Sequence, residues 1–258
     1  MADDSEQATK KRKYPWEKPY SKVPLKEVEK RIGTTMIKLY HNMISPKNML
    51  VQAGYCSDDN TIKATKDEVY KGILRYLAVE TPLMDHKHFK EANVGDLVLQ
   101  IILPIIYDFK QNTGRKMVTL FREKQIVSTD SKVGGFEEFV VVDVISELGE
   151  SNVLIIEAKR ESLSAAMGQC LLAMKDLGDT NKGGIIYGFV TTRDVWRMLS
   201  YDGAMFQVTD KLFVVFDLMR DDRDEWMRSF SLVVDCIYAA LSNGGVGTME
   251  KGLESVTV

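Results

Sequence analysis

FEEFVVVDVISELGESNVLIIEAKRESLSAAMGQCLLAMKDL, residues 136–177, decides the fold. An apolar run carrying acids is followed by a short polar turn, then by a second apolar run ending Glu157-Ala158-Lys159, then by an Ala/Met/Leu-rich helix. Residues two apart on a strand point the same way, so Glu157 and Lys159 share a face with Ile155 and Val153, while Leu154, Ile156 and Ala158 face the other side. A carboxylate and an ammonium therefore project together from the end of a strand that is otherwise apolar. Such charges are costly to bury unless they are paired or bound to a metal.

A second carboxylate on the neighbouring strand would complete a hard oxygen site suited to Mg²⁺ or Mn²⁺. Lys159 would orient or deprotonate the attacking water and steady phosphate charge. Two acids compete for the second position. A three-residue loop at 148–150 puts Asp143 on the face of Glu157, whereas a two- or four-residue loop shifts the register and favours Glu138. Asp143 is preferred by a small margin and Glu138 is kept.

This acid, hairpin and Glu157-x-Lys159 core resembles the PD-(D/E)xK nuclease superfamily, the restriction-endonuclease-like fold, over roughly residues 89–216. The helix beginning near Ser164 with Gln169 resembles the helix that follows the core in many members. GIIYGFVTTRDVWRML, residues 184–199, looks like the strand and turn after that helix, and the stretch 138–203 is similar to expanded fungal families with nuclease-like domains. In the family pattern the first acid opens the second strand, commonly after a proline; here that position reads Phe136-Glu137-Glu138-Phe139, with Glu for Asp and no proline. The resemblance implies an α/β domain with a mixed central β-sheet flanked by helices. It also implies a nuclease hydrolysing phosphodiester bonds, DNA favoured over RNA, with Asp143 or Glu138 and Glu157 on the metal, Lys159 managing the nucleophile, and Gln169 and Glu91 in support. Asp96 competes with Glu91 for the helix acid.

Outward from this core, Leu163, Met167, Cys170, Leu171, Met174 and Leu177 predict a helical face closed by Gly178. GIIYGFVTT and KLFVVFDL read as strands around a turn near Arg193. Trp226–Leu241 is an amphipathic helix stopped by Asn243-Gly244-Gly245. Upstream, MVTLF from Met117 reads as a strand, and Gly134-Gly135 and Leu148-Gly149 as punctuation. Residues 89–110 carry an apolar stripe at helical spacing that Pro104 would kink. Helical stripes also run through 28–43 and 69–77. The implied division is a flexible basic arm over 1–24, a helical extension over 25–88, the nuclease-like domain over 89–242 and a tail over 243–258.

A net charge of −3 argues against coating nucleic acid by bulk electrostatics and leaves room for a local basic patch. No apolar run approaches the roughly 20 residues of a membrane span. Three separated cysteines, Cys56, Cys170 and Cys236, suit a reducing, intracellular setting, and the last two read as core thiols. Lys10-Lys11-Arg12-Lys13 lacks a following apolar segment, so it reads as a nuclear-import run, a phosphate-contacting arm or a solvated tail rather than a secretory signal. His41, His86 and His88 are not grouped with the carboxylates, and His86-Lys87-His88 reads as a loop. The bland alternatives are a surface salt bridge for Glu157 and Lys159, a solvent-side Gln169, and a catalytically inactive scaffold that binds protein or nucleic acid. Expected partners are nucleic acid, a second copy of the chain for cutting both strands, and a protein docked on the helices of 25–88.

Overall fold

The 136–177 stretch folds as the sheet's central hairpin and the helix after it: β3 (Val133–Ser146) pairs antiparallel with β4 (Gly149–Ala158), and α6 (Leu163–Gly178) follows. The computed structural model describes residues 14–55, 59–80, 89–146, 149–181 and 183–245. Lys10–Lys13, Cys56, His86, His88 and the tip of the hairpin at 147–148 lie outside them. Ser162 caps α6, its hydroxyl accepting from the Ala165 amide at 3.2 Å.

Around the hairpin the sheet is mixed. β2 (Val118–Val127) pairs antiparallel with β3 on the side away from β4. The chain crosses through α6 to bring β5 (Ile186–Thr191) parallel to β4. β6 (Val195–Tyr201) then runs antiparallel to β5, with the short β7 (Phe206–Val208) and β8 (Leu212–Phe213) on its far side. KLFVVFDL thus contributes two strand residues. The full partner of β5 is VWRMLSY, whose Trp196 and Met198 face one layer while Leu199 and Tyr201 enter the other. Helices cover both sheet faces, the arrangement that buries a strand such as β4 from Asn152 to Ala158.

One face carries Val140, Val142, Ile155 and Val190 against α6, with α1 (Leu25–Ile32) and α2 (Met36–His41) outside it. The other face carries Phe139, Val141, Leu154, Ile156 and Phe189 against α5 (Glu91–Asn112) and α8 (Leu232–Asn243), with α3 (Pro46–Gln52) and α4 (Asp59–Glu80) packed beyond. The helices of 25–80 therefore serve both faces of one sheet. α5 is long and apolar enough to suit a bilayer, yet its stripe Val94, Leu97, Val98, Ile101, Ile102 and Ile105 is buried in the core. Truncating Ile101 or Ile105 to alanine would cost about 2–5 kcal/mol. Pro104 does not interrupt α5; it leaves the Gln100 carbonyl without its helical donor, and Gly72 of α4 packs against that oxygen.

Residues 14–24, expected in a flexible arm, are part of the sheet. β1 (Lys18–Pro19) runs parallel to β3 at Val133 and Gly134, and Trp16 and Tyr20 are buried. The reason lies in Gly134-Gly135, which are interior strand residues rather than punctuation. A Cβ at Gly134 would stand 2.8 Å from the Trp16 ring, and one at Gly135 would stand 2.8 Å from Tyr20. The missing side chains make the slots in which the N-terminal rings lie. Tyr20 is further fixed by donating its hydroxyl to Asp176 of α6 at 2.5 Å.

Candidate functional site

Glu157 sits at the C-terminal end of β4, one residue before the strand stops, and Lys159 just beyond it. The Lys159 amide donates to the Thr191 carbonyl at the end of β5, so two parallel strands present their C-terminal ends together. Glu157 is 1% exposed. The Lys159 ammonium reaches across the strand end to Glu157 Oε1 at 2.7 Å and Glu91 Oε1 at 2.8 Å. Glu91, in the first turn of α5, is thus brought to the site as expected. Asp96, one turn further, is half-buried on the side of α5 adjoining Tyr76.

The acid of β3 that shares the α6 side with Glu157 is Glu137, which the sequence reading passed over. It is completely buried, and Glu157 and Gln169 both act on its carboxyl group. Both oxygens of Glu137 and Oε2 of Glu157 nevertheless lack a hydrogen bond of acceptable geometry. Glu138 turns to the opposite side, toward α5. Its Oε2 accepts from the Ala158 amide at 3.2 Å, and its Oε1 lies against Gly95, where a side chain would collide with it. The pleat skips here: Gly135 and Glu137 face the α6 side before the skip, Val140 and Val142 after it. On β2, Glu123 has φ 51° at this level, so both strands absorb the irregularity. A sequence signal for Glu137 existed. Adjacent acids on a strand face opposite sides, so one of Glu137 and Glu138 had to share the face of Glu157 whatever the register.

Asp143 does not join the group. Ser146 pairs with Gly149, which makes the connection two residues long, and Val141↔Leu154 followed by Val142↔Asn152 leaves Val153 as an extra residue on β4. Parity counted from the loop alone is therefore wrong. Asp143 pairs with Ser151, six residues from Glu157 and about 20 Å along the strand. There it accepts from Arg115 Nε at 2.7 Å. Gln169 is buried on α6 and faces Glu137, so it is not a solvent-side residue. His41 is an exposed residue ending α2.

Electrostatics divide these groups into roles. Burial, then the neighbouring Glu157 charge, push Glu137 far above the usual carboxylate range. Glu157 is also raised, because burial outweighs the Lys159 ion pair that pulls it down. Glu138 is raised to about 7, by burial first and by Glu157 second. For Lys159, burial alone would depress the ammonium, but Glu157 and Glu91 together hold it above its ordinary value. Lys159 is accordingly a fixed cation and not a proton acceptor near neutral pH. Glu138 is the group whose proton exchanges there.

Among the described residues, no three His, Cys, Asp or Glu side chains converge as a ready-made cation cage. What the site does offer a divalent ion is two adjacent buried carboxylates with three oxygens left without partners, a donor set of the hard-oxygen kind. The residues present fit Mg²⁺ or Mn²⁺ as a two-carboxylate site whose remaining positions would be filled by water. No known protein family matches the chain, and no curated protein matches it.

Proposed function

We propose that this protein is a metal-dependent nuclease of the PD-(D/E)xK kind, hydrolysing phosphodiester bonds, DNA more readily than RNA. The observation that carries the reading is the pair Glu137 and Glu157, buried side by side at a strand end with unpartnered oxygens and a fixed cation beside them. Burying two carboxylates in one apolar layer costs stability unless a positive charge compensates, and the ion pairs of Lys159 go to Glu157 and to Glu91. Glu137 and Glu157 would hold Mg²⁺ or Mn²⁺, which when bound supplies a polarised water and neutralises phosphate charge. Lys159, 23% exposed and held by Glu157 and Glu91, is aimed to steady the phosphoryl oxygens. Glu138 lies on the α5 side of the same strand end, within reach of the Glu157, Lys159 and Glu91 charges and raised to about 7, and would take the proton of the attacking water as its oxygen bonds to phosphorus and the bond to the leaving sugar oxygen breaks. Gln169 positions Glu137 from α6.

The test is cleavage of plasmid, single-stranded DNA and RNA by wild type and Glu157→Gln in Mn²⁺. Cleavage by wild type that is lost in the variant and in EDTA supports the proposal; equal activity of both proteins overturns it. A second reading, a catalytically inactive scaffold, is favoured by one specific observation: Glu137 and Glu157 are almost sealed from solvent. Melting with and without Mn²⁺ separates the two, since an ion-binding site gains stability from its ion and a sealed vestige does not.

A further inference from the structure

Beside the start of β3 lies a cleft of about 900 Å³ whose lining includes Tyr14, Trp16, Glu17, Tyr20, Phe136 and Gln169. Three of its rings form a group: Tyr14 stacks on Trp16 at 4.9 Å between centroids, and Phe136 stands at 73° to both, 5.5 Å from Trp16 and 6.0 Å from Tyr14. Anchoring the N-terminal segment accounts for Trp16, which is buried against Gly134. It does not account for Tyr14, left 50% exposed, or Phe136, left 44% exposed. Two half-exposed ring planes at a steep angle make a corner, whose two walls a rounded group can touch at once, whereas a flat group matches a single wall.

Charge narrows the kind of group. Glu17 is the charged residue of the lining, and among the described residues no Lys, Arg or His joins it there. The adjacent Lys18 is turned to Glu27 at 2.6 Å, and among the described residues Glu17 has no ion pair. Ring faces are themselves negative and attract cations lying within about 6 Å of the centroid. This fold uses that attraction repeatedly: among the described residues six rings carry one of the chain's own cations, Arg122 over Phe139 and Lys175 over Tyr201 being two of them. None of these cations stands over Tyr14, Trp16 or Phe136. The cleft thus joins negative ring faces to an unanswered carboxylate and supplies no positive charge of its own. A primary ammonium would need acceptors for three protons and would give up strong hydration among these rings. An ammonium with carbon on every valence needs no acceptor and carries its charge under an apolar surface.

We propose that this cleft binds a small molecule with a quaternary ammonium head, which sits in the corner of Tyr14 and Phe136 with Glu17 balancing its charge. The volume is in the range of small-molecule sites, which leaves room beside the head for a polar portion near Ser21 and Ser131. The proposal does not depend on the nuclease reading and is tested without nucleic acid. Titrations of the full-length wild type, followed by NMR of the ligand, compare choline with 3,3-dimethylbutanol, which has the same shape with carbon in place of the charged nitrogen. Choline should bind at least about tenfold more tightly, the scale of cation–π attraction from two half-exposed rings. Tyr14→Leu and Phe136→Leu keep an apolar wall but remove the charge distribution of the ring, so each should weaken choline several-fold and leave the alcohol unchanged. Tyr14→Phe should retain binding, and Glu17→Gln, at an exposed position, should weaken choline selectively. Melting temperatures equal to that of wild type should show that the variants fold. Equal affinity for choline and the alcohol, or leucine variants that bind choline as wild type does, overturns the site. Choline binding that appears only when Lys10 to Lys13 are replaced by alanine also overturns it, because the chain's own cations are then the occupant. Binding of choline-headed vesicles or of a trimethyl-lysine peptide without binding of free choline overturns the small-molecule assignment.

Discussion

Glu137 and Asp143 lie six residues apart on one strand, and their surroundings are opposite. Asp143 is near the hairpin tip, partly exposed, and answered by Arg115, which also donates to the carbonyls of Leu241 and Ser242 in the last turn of α8 and of Gly244 just beyond it. Every feature there is explained by stability: an ion pair fixes a guanidinium that caps a helix C-terminus. Glu137 is sealed in the core next to a second carboxylate, with no hydrogen bond to either of its oxygens. Stability does not explain that placement, since an apolar residue of similar size would be cheaper there. Of two acids on β3, the one that costs the fold most is the stronger candidate for function.

Substitutions should break the symmetry between the two ends of the strand in opposite ways. The largest effect is expected at the sealed end. Glu157→Gln or Glu137→Gln should lower Mn²⁺-dependent cleavage by at least about 100-fold, more than is typical for an outer partner of a metal ligand, while Asp143→Asn leaves turnover within about twofold. Gel assays of initial rate check this. At the tip the order reverses. Arg115→Met should lower unfolding free energy by about 2–3 kcal/mol, the scale of losing charged hydrogen bonds from a partly buried group, and denaturant titration measures it.

Saturating Mn²⁺ should raise stability by about 2.7 kcal/mol at a concentration 100 times its Kd. That gain should persist in Asp143→Asn and vanish in Glu157→Gln, as read by thermal melting. A smaller effect follows from pH. Glu137, Glu157 and Glu138 all have folded-state values above their ordinary ones, Glu138 at about 7. The stability they contribute is fully present below the ordinary carboxylate value and is lost as pH rises through each raised folded-state value, which for Glu138 is about 7. Wild type should therefore lose melting temperature relative to Glu137→Gln between pH 4.5 and 8, the two proteins coinciding at the acid end. Equal slopes for both would remove the electrostatic argument for Glu137. The smallest change is Gly95→Ala, which helix propensity favours by about 1 kcal/mol but which collides with Glu138. Activity should fall several-fold with little loss of stability.

Much of this was legible because it is local. The apolar stripe of α5, the buried run VLIIEA of β4, the face of α6 and the projection of Glu157 with Lys159 all follow from periods of 3.6 or 2 read over a few residues. Glu91 was reachable through the resemblance of the helix that carries it. Three features were not local. Trp16 and Tyr20 enter the sheet by parallel pairing with residues more than a hundred positions away, which a Pro-rich, charged stretch does not advertise. VWRMLSY is a full strand because β5 needs an antiparallel partner. Glu137 replaced Asp143 because an extra residue at Val153 and the irregular pleat at Glu123 and Glu138 moved the faces.

The amino-acid sequence by itself determined the alternation of apolar segments, and hence a mixed α/β architecture with an acid and a lysine at the end of its central strand. The tertiary structure alone decided which second carboxylate shares that end, and that the N-terminal rings open beside it. The physical reason is that periodicity states which way a side chain points relative to its own neighbours. Register, bulges and long-range pairing decide what stands opposite, and these depend on the energy of the whole sheet.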